Sequence, residues 1–307
     1  MTRSGRGDAS DGSFNSATIV GLGLIGGSIA RDLAAMGVRV RGYDADREQL
    51  DAAVRDGIVS DPLDSDFRGA ESDVIVLAVP VDQAPAMLRR LAGVARSARL
   101  VTDVGSTKAS IVNEARDLGL EGCFVGAHPM AGDHRSGWAA SRRNLFADAL
   151  VYLCPASSAR TPVVDVAMQF WRSLGASPCL MEAEAHDRHV AWTSHVPHLV
   201  SMALGLALAG AGIERDALGP GGRDVTRLAG SSPEMWTAIA SDNRAAIDEA
   251  LASAEHEVAG FRAALKSGDQ TLLRERFAAA QAWFDGGSSK SAPSSTAPFP
   301  RPPRSPR

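Results

Sequence analysis

Aromatic side chains and cysteines are scarce in this chain. Phe, Trp and Tyr make up 5% of 307 residues, with only two tyrosines, so no interleaving of basic and aromatic side chains offers itself to nucleic-acid bases. The three cysteines, Cys123, Cys154 and Cys179, are far apart and form no C-x-x-C pair. They read as small core residues in a reducing compartment, with no metal site or disulfide framework. Charge of neither sign dominates: 32 Lys and Arg against 36 Asp and Glu leave a net charge of -4, and no basic stripe marks a polyanion partner. No apolar run reaches the roughly 20 residues of a membrane span, and residues 1–16 lack the apolar centre of a signal peptide. The expectation is a cytoplasmic protein with no nucleic-acid or membrane partner.

What the chain does have is glycine in one informative place. Gly21, Gly23 and Gly26 form a G-x-G-x-x-G directly after the apolar run 17–20. Residues 24–36 follow with helical spacing, and 38–43 read as a second strand. In such a βαβ unit Gly21 permits the tight turn, Gly23 lets backbone approach a pyrophosphate, and Gly26 lets helix and strand pack closely. Leu24 and Ile25 open the helix, whose N-terminus faces the phosphates. Asp44 ends the second strand, where a carboxylate accepts from ribose hydroxyls and repels a 2′-phosphate. This predicts NAD, while Arg41 and Arg47 nearby leave NADP open.

Strand and helix then alternate. Helices are predicted over 47–56, 84–95, 107–118 and 162–174, and strands over 73–80, 99–104, 123–126, 150–154 and 178–181. The continuous apolar run 73–80 suits a strand buried on both faces, as in a parallel sheet. The fold class expected is α/β, a doubly wound Rossmann sheet followed by an all-helical domain. After 181 strands cease: helices are predicted over 182–209, interrupted at Pro197, and over 232–240, 242–266 and 270–284. A helix such as 197–211, apolar nearly all round, must be buried on every side, so a homodimer through the helical domain is expected. The domains are thus a disordered N-terminus 1–16, a nucleotide-binding domain 17–181, a helical substrate and dimerisation domain 182–285, and a Ser- and Pro-rich disordered tail 286–307.

In open α/β sheets ligands lie beyond the carboxyl ends of the strands. Val79 and Pro80 end one strand, either lining the nicotinamide side or simply terminating the strand. In Asp103-Val104-Gly105-Ser106-Thr107-Lys108, Ser106 reads as the N-cap of a helix beginning at Thr107, and such a hydroxyl can also bond a ligand. His128 follows a short apolar strand, in a loop of small residues between a Gly-rich segment and Pro129. At the mouth of a nucleotide-binding sheet it is the best general base in the chain, its neutral form able to take an alcohol proton as hydride leaves. His186, His189, His195 and His198 share one long helical pattern. Pro197 and the absence of a well-placed carboxylate or thiolate argue against a metal and for a polar seam facing the cofactor domain. Arg223 beside Asp224 reads as a local ion pair, Arg227 as a surface residue or a fork for a substrate carboxylate. Ser232 and Pro233 start a helix in the usual way.

Taken in order, these motifs resemble the prephenate and arogenate dehydrogenase family of tyrosine biosynthesis. The resemblance rests on the run from Val20 through Gly26 to Ser28, on Asp103 to Lys108, on Gly126-Ala127-His128-Pro129-Met130-Ala131-Gly132 and on His186-Asp187. It continues in Ser194-His195-Val196-Pro197-His198 and in Arg223-Asp224-Val225-Thr226-Arg227-Leu228-Ala229 before Pro233-Glu234-Met235-Trp236. It implies an active site between a Rossmann and a helical dimerisation domain. There His128 bonds the substrate's ring hydroxyl, Ser106 assists it, Arg227 holds a carboxylate, and His198, His195 and Trp236 line the pocket. The implied reaction is oxidative decarboxylation of prephenate to 4-hydroxyphenylpyruvate with NAD, with arogenate as alternative substrate. An arogenate ammonium would want a carboxylate, for which Asp133, Asp224 and Glu234 are the candidates. Gly222 and Asp133-His134 depart from the family pattern at the pocket rim. Of the rivals, β-hydroxyacid dehydrogenases rely on a lysine in the helical domain, where this chain offers only Lys266. A non-catalytic NAD sensor would have no need of His128.

Overall fold

Strands β1 (Ser16–Val20) and β4 (Val74–Leu77) divide the core in two by simple alternation. Ala17, Ile19, Val74 and Val76 point into one apolar cluster, Val20, Ile75 and Leu77 into the other, as a strand's two-residue period requires. The computed structural model describes residues 14–132, 135–156 and 162–287. β1 and β4 are the middle of a five-stranded parallel sheet with β2 (Arg39–Tyr43), β3 (Asp61–Pro62) and β5 (Leu100–Asp103), in the order β3-β2-β1-β4-β5. Helices α1 (Leu24–Ala35) and α2 (Arg47–Arg55) connect the first strands; α3 (Ala84–Ala95) and α4 (Ala109–Asp117) flank β5. Ile29 and Leu33 of α1 close the first cluster, while Leu88, Leu91, Ile111 and Val112 of α3 and α4 close the second. This is the expected doubly wound arrangement.

A second sheet follows, of β6 (Val125–Pro129), β7 (Leu150–Pro155) and β8 (Ser177–Leu180), with α5 (Pro162–Ser173) before β8. It continues the first through a parallel bridge between Val101 and Phe124. Here the parallel pattern changes: β7 runs antiparallel to β6 and parallel to β8. Between β6 and β7 the described chain holds one helical turn, at Trp138–Ala140, and a parallel crossover needs a longer element. Strand β6 also extends past the predicted 123–126. His128 therefore lies within the strand, paired with Tyr152, and not in a loop beyond it.

The helical part begins with α6 (Ala183–Val190), a π-turn at Ala191–His195, and α7 (Val196–Gly210). The Val196 N–H reaches back five residues to the Ala191 carbonyl. Pro197 has no N–H and its ring would crowd the carbonyl four residues back, so the helix widens just before it and continues. Helices α8 (Pro220–Val225), α9 (Pro233–Asp242), α10 (Arg244–Ser267) and α11 (Gln270–Gly287) complete the described residues. Ser232 caps α9, its hydroxyl accepting from Met235 N at 3.2 Å. The expected burial of α7 on every side is not supplied by its own chain. Val196 and Ser201 are buried, but Leu206 is 75% exposed and Val200 and Leu204 are open to solvent.

The first compact unit ends at Ala250, and a second begins at Leu251. The expected boundary near 181 thus falls inside the first unit, between its sheets and its helices. In the second unit Phe261 and Phe277 pack at 5.5 Å and Arg276 pairs with Glu257. Of the segments expected to be disordered, 1–13 and 288–307 lie outside the described residues. Residues 14–16 are ordered: Phe14 packs edge-on against Phe170 and under Arg99, Asn15 donates to Asp73, and Ser16 starts β1. Residues 286–287 belong to α11. Of the cysteines only Cys154 is fully buried; Cys123 and Cys179 are half-exposed.

Candidate active site at the carboxyl edge of the sheets

The glycine loop separates protein-imposed from ligand-imposed requirements. Gly21 has φ +95°, and a Cβ there would strike the Ala78 carbonyl; a Cβ on Gly26 would strike the Gly21 carbonyl and Ala78. Both are fixed by close packing of loop, helix and strand. Gly23 differs: a Cβ there would meet no protein atom. Its missing side chain leaves room beside the N-terminus of α1, whose first turn carries no acidic residue, a fit for a pyrophosphate. Leu24 and Ile25 begin that helix. Asp44 steadies the loop, accepting from Leu22 N at 2.6 Å and from Asp46 N at 2.8 Å, which fixes a carboxylate beside the loop. Val79 is half-buried next to Gly21 and Pro80 is exposed.

At the ends of β5 and β6 the polar side chains are buried and connected. Asp103 and Lys108 form an ion pair with 1% and 0% of their side chains exposed, and the Gly105 amide also donates to Asp103 at 2.9 Å. His128 Nδ1 lies 2.9 Å from His186 Nε2, and His186 Nδ1 lies 2.8 Å from Asp187 Oδ1. Asp187 also accepts from the backbone amides of Lys108 and Ala109 at 2.8 and 2.9 Å. It therefore caps α4 from a distant part of the chain. This corrects the reading of Ser106 as the cap, since α4 begins two residues later than predicted, at Ala109, with no side-chain cap of its own. Ser106 is half-buried, and its hydroxyl makes no hydrogen bond among the described residues.

The chain of three fixes proton positions. Burial would raise the Asp187 pKa, but bonds from His186 and the Ala109 amide bring it below the ordinary carboxylate value. Asp187 is thus an acceptor, and His186 carries its proton on Nδ1. Burial lowers His186 against the pull of Asp187, so the ring is neutral and its Nε2 is a bare acceptor. His128 must then donate through Nδ1, leaving a lone pair on its own Nε2. Burial, with His186, Lys108 and His195 nearby, holds His128 well below the usual imidazole value. Such a ring is neutral at physiological pH and able to take a proton.

The helical residues join this edge. His189 bonds the Tyr152 hydroxyl at 2.9 Å, so His186 and His189 do form a seam against the second sheet. His195 and His198 turn instead to Trp236: His198 stacks on the indole at 4.1 Å and His195 meets it edge-on at 5.8 Å. Burial lowers the His198 pKa, the Ser194 carbonyl opposes this, and the Arg227 charge adds to the lowering. Arg227 itself is exposed. Asn243 Nδ2 donates to the Asp187 carbonyl at 2.8 Å and approaches His195 Nδ1 at 3.2 Å. Asp242 accepts from Thr107 at 2.6 Å and Ser110 at 2.9 Å. Arg223 donates to the Leu218 carbonyl at 2.8 Å, which replaces the ion pair with Asp224 expected from their adjacency. Sequence reasoning placed His186 in a polar seam, gave Asp187 and Lys108 no role of their own, and passed over Asn243. Lys108, a cation just after the apolar strand that ends at Asp103, was the one signal available for the buried pair. Asp133 and His134 lie outside the described residues.

Two family models cover most of the chain: prephenate dehydrogenase, nucleotide-binding domain, over residues 29–180, and prephenate dehydrogenase, dimerization domain, over 182–279. The chain belongs to the prephenate dehydrogenase family. It is 36% identical to the prephenate dehydrogenase of Bacillus subtilis over 87% of this chain and 75% of that one. It is 32% identical to the cyclohexadienyl dehydrogenase of Zymomonas mobilis, over 87% of this chain and 94% of that one. The fold superposes with a TM-score of 0.80 on the prephenate dehydrogenase of Aquifex aeolicus, solved with hydroxyphenyl propionate and NAD+, at 28% identity over 89% of this chain and 98% of that one. As a member of this family the chain is an NAD-dependent dehydrogenase. No described helix is long and apolar enough to cross a membrane.

Proposed function

We propose that this protein oxidises prephenate to 4-hydroxyphenylpyruvate with loss of carbon dioxide, a step toward tyrosine. The observation that carries the reading is the bare Nε2 of buried, neutral His128 at the carboxyl edge of a nucleotide-binding sheet. Prephenate has a ring hydroxyl on the carbon that gives up hydride. As the hydride leaves, His128 Nε2 takes the hydroxyl proton; the C–C bond to the ring carboxylate breaks, its electron pair enters the ring, and carbon dioxide departs as the ring becomes aromatic. Bound NAD supplies the hydride acceptor. Ser106, whose hydroxyl makes no hydrogen bond among the described residues, assists at the same oxygen. Arg227 takes a substrate carboxylate, and His198, His195 and Trp236 line the pocket. Gly21, Gly23, Leu24, Ile25, Gly26 and Asp44 hold the dinucleotide, with Val79 and Pro80 on the nicotinamide side. Aromatisation drives the step, so the protein has chiefly to align the reactants and exclude water.

Residues 182–285 form the substrate and dimerisation domain in this reading, and the enzyme is a cytoplasmic homodimer. The apolar surface that α7 leaves open and the description of the matching family model support the dimer, and sedimentation giving a clean monomer at micromolar concentration would remove it. The activity is tested by following reduced nicotinamide absorbance with prephenate and arogenate, each with NAD and NADP. Turnover of prephenate with NAD is expected, and Arg227→Ala should chiefly raise KM for prephenate. Absence of signal with either substrate would return the chain to a non-catalytic role.

A further inference from the structure

Two buried donors close to this site have no protein acceptor. His195 is 1% exposed and Trp236 7%, and neither His195 Nε2 nor Trp236 Nε1 finds a partner among the described residues. Leaving such a group unsatisfied is costly, because its bond to water is lost and not replaced. The two rings meet edge-on at 5.8 Å, and the buried polar side chains His186, Asp187 and Asn243 that surround His195 are engaged.

Asn243 decides what His195 offers. Its Nδ2 donates to the backbone carbonyl of Asp187, which can only accept, so the amide cannot be turned the other way without setting two oxygens against each other. The same nitrogen faces His195 Nδ1 at 3.2 Å. Nδ1 must therefore carry the lone pair and Nε2 the proton. We propose that Asn243 is a positioning residue that holds His195 as the neutral Nε2–H tautomer, so that His195 donates a hydrogen bond to a carboxylate oxygen of the substrate. The inference rests on the reading above that His195 lines the substrate pocket. His195 and His128 then face the reaction with opposite polarity: His128 brings a lone pair on Nε2, His195 a proton on Nε2, and each is set by a neighbour that never touches substrate. A carboxylate suits the site because its oxygens offer about four lone-pair positions, enough for His195 and Trp236 together, and because Arg227 adds a positive charge felt at His198. Burial pushes His195 down to about 4, opposed by Asp187 and reinforced by His186 and His198, so it donates without becoming a cation.

The tautomer is read directly from long-range nitrogen–proton NMR spectra of protein carrying isotope-labelled histidine, with His195→Gln to assign the signal. A pyrrole-like Nε2 and pyridine-like Nδ1 in the wild type are expected; the reverse overturns the proposal. Kinetics supply the function. His195→Leu should raise KM for prephenate about tenfold or more, with smaller changes in kcat and in KM for NAD. His195→Gln, whose amide nitrogen can stand near the Nε2 position, should recover most of that loss. Asn243→Asp, which puts an acceptor against Nδ1, should raise KM similarly and add little on top of His195→Leu. A rise in KM for NAD instead would assign the donor to the cofactor and overturn the proposal, as would an unchanged KM for prephenate. If Asn243→Asp fails to fold, the histidine variants and the wild-type spectrum still decide. Wild-type protein inactive on both prephenate and arogenate would overturn the functional reading itself, a result distinct from active enzyme with the wrong tautomer.

Discussion

His186 presents Nε2 to His128 Nδ1 at 2.9 Å while its other nitrogen is held by Asp187. The pair joins the two parts of the first unit at the level of single protons: a strand of the sheet carries His128, and the first helix beyond the sheets dictates which of its nitrogens is bare.

His128→Asn removes the proposed base and keeps a polar side chain. It should lower kcat by roughly 100- to 10,000-fold, the usual share of a positioned general base, with a much smaller change in KM. Near-normal turnover in steady-state assays would show that the proton goes elsewhere.

Acid should weaken the fold from an unusually high pH. His128, His186, His189, His195 and His198 all have pKa values lowered in the folded state, burial first among the causes. The unfolded chain takes up protons near pH 6.5 that the folded chain refuses, so stability is full above about pH 6.5 and falls as the pH drops below it. For His195, with a folded value of about 4, this amounts to about 3 kcal/mol by pH 4. Tm measured from pH 8 to pH 4.5 should be level at first and then drop steeply. A flat profile would mean that these histidines take up protons in the fold as readily as in the unfolded chain.

The glycine loop allows stability to be separated from cofactor binding. Gly23→Ala meets no protein atom and should leave Tm almost unchanged while weakening NAD binding about tenfold or more, as a methyl group intrudes on the pyrophosphate. Gly26→Ala collides with the Gly21 carbonyl and should lower Tm sharply. Equal effects of the two on Tm, or normal NAD titration of Gly23→Ala by calorimetry, would contradict this division.

Lys108→Met leaves Asp103 buried without its cation. Breaking a buried pair in this way costs about 3–5 kcal/mol, measurable as a shift in the denaturant midpoint. A shift under about 1 kcal/mol, the range of an exposed pair, would show that Asp103 finds other support.

Four of the five parallel strands and their helices were legible because each carries its own signal: apolar runs for buried strands, three glycines for the turn, Asp44 at the strand end; β3, only Asp61–Pro62, is too short to carry one. His128 was legible as a residue but not as part of a strand, since antiparallel pairing with Tyr152 leaves no trace in the local pattern. The contacts that tune the site were illegible for a different reason. Asp187 meets Lys108 across 79 residues and Asn243 meets Asp187 across 56, and nothing near either residue announces the partner. Asp187 is an ordinary helical aspartate until the N-terminus of α4 arrives beside it. Ser106 reads as a cap because a serine before a helix normally is one, and here a distant carboxylate fills that role.

The π-turn before Pro197 has one more consequence, in the phase of the helix. Asp187 and His195 are eight positions apart. At about 100° per residue an unbroken α-helix would set them some 80° apart around its axis. One additional residue absorbed in the wide turn makes the effective separation seven, about 700°, which returns them to nearly the same side. In that register one Asn243 nitrogen touches both the Asp187 carbonyl and His195 Nδ1. Deleting Thr193 would restore ordinary helical winding, and the shortened chain should stay helical by circular dichroism yet rotate His195 away from Asn243 and lose prephenate turnover. In this helix a local swelling of the backbone serves as a gear tooth, bringing two residues into register that the standard pitch would hold apart.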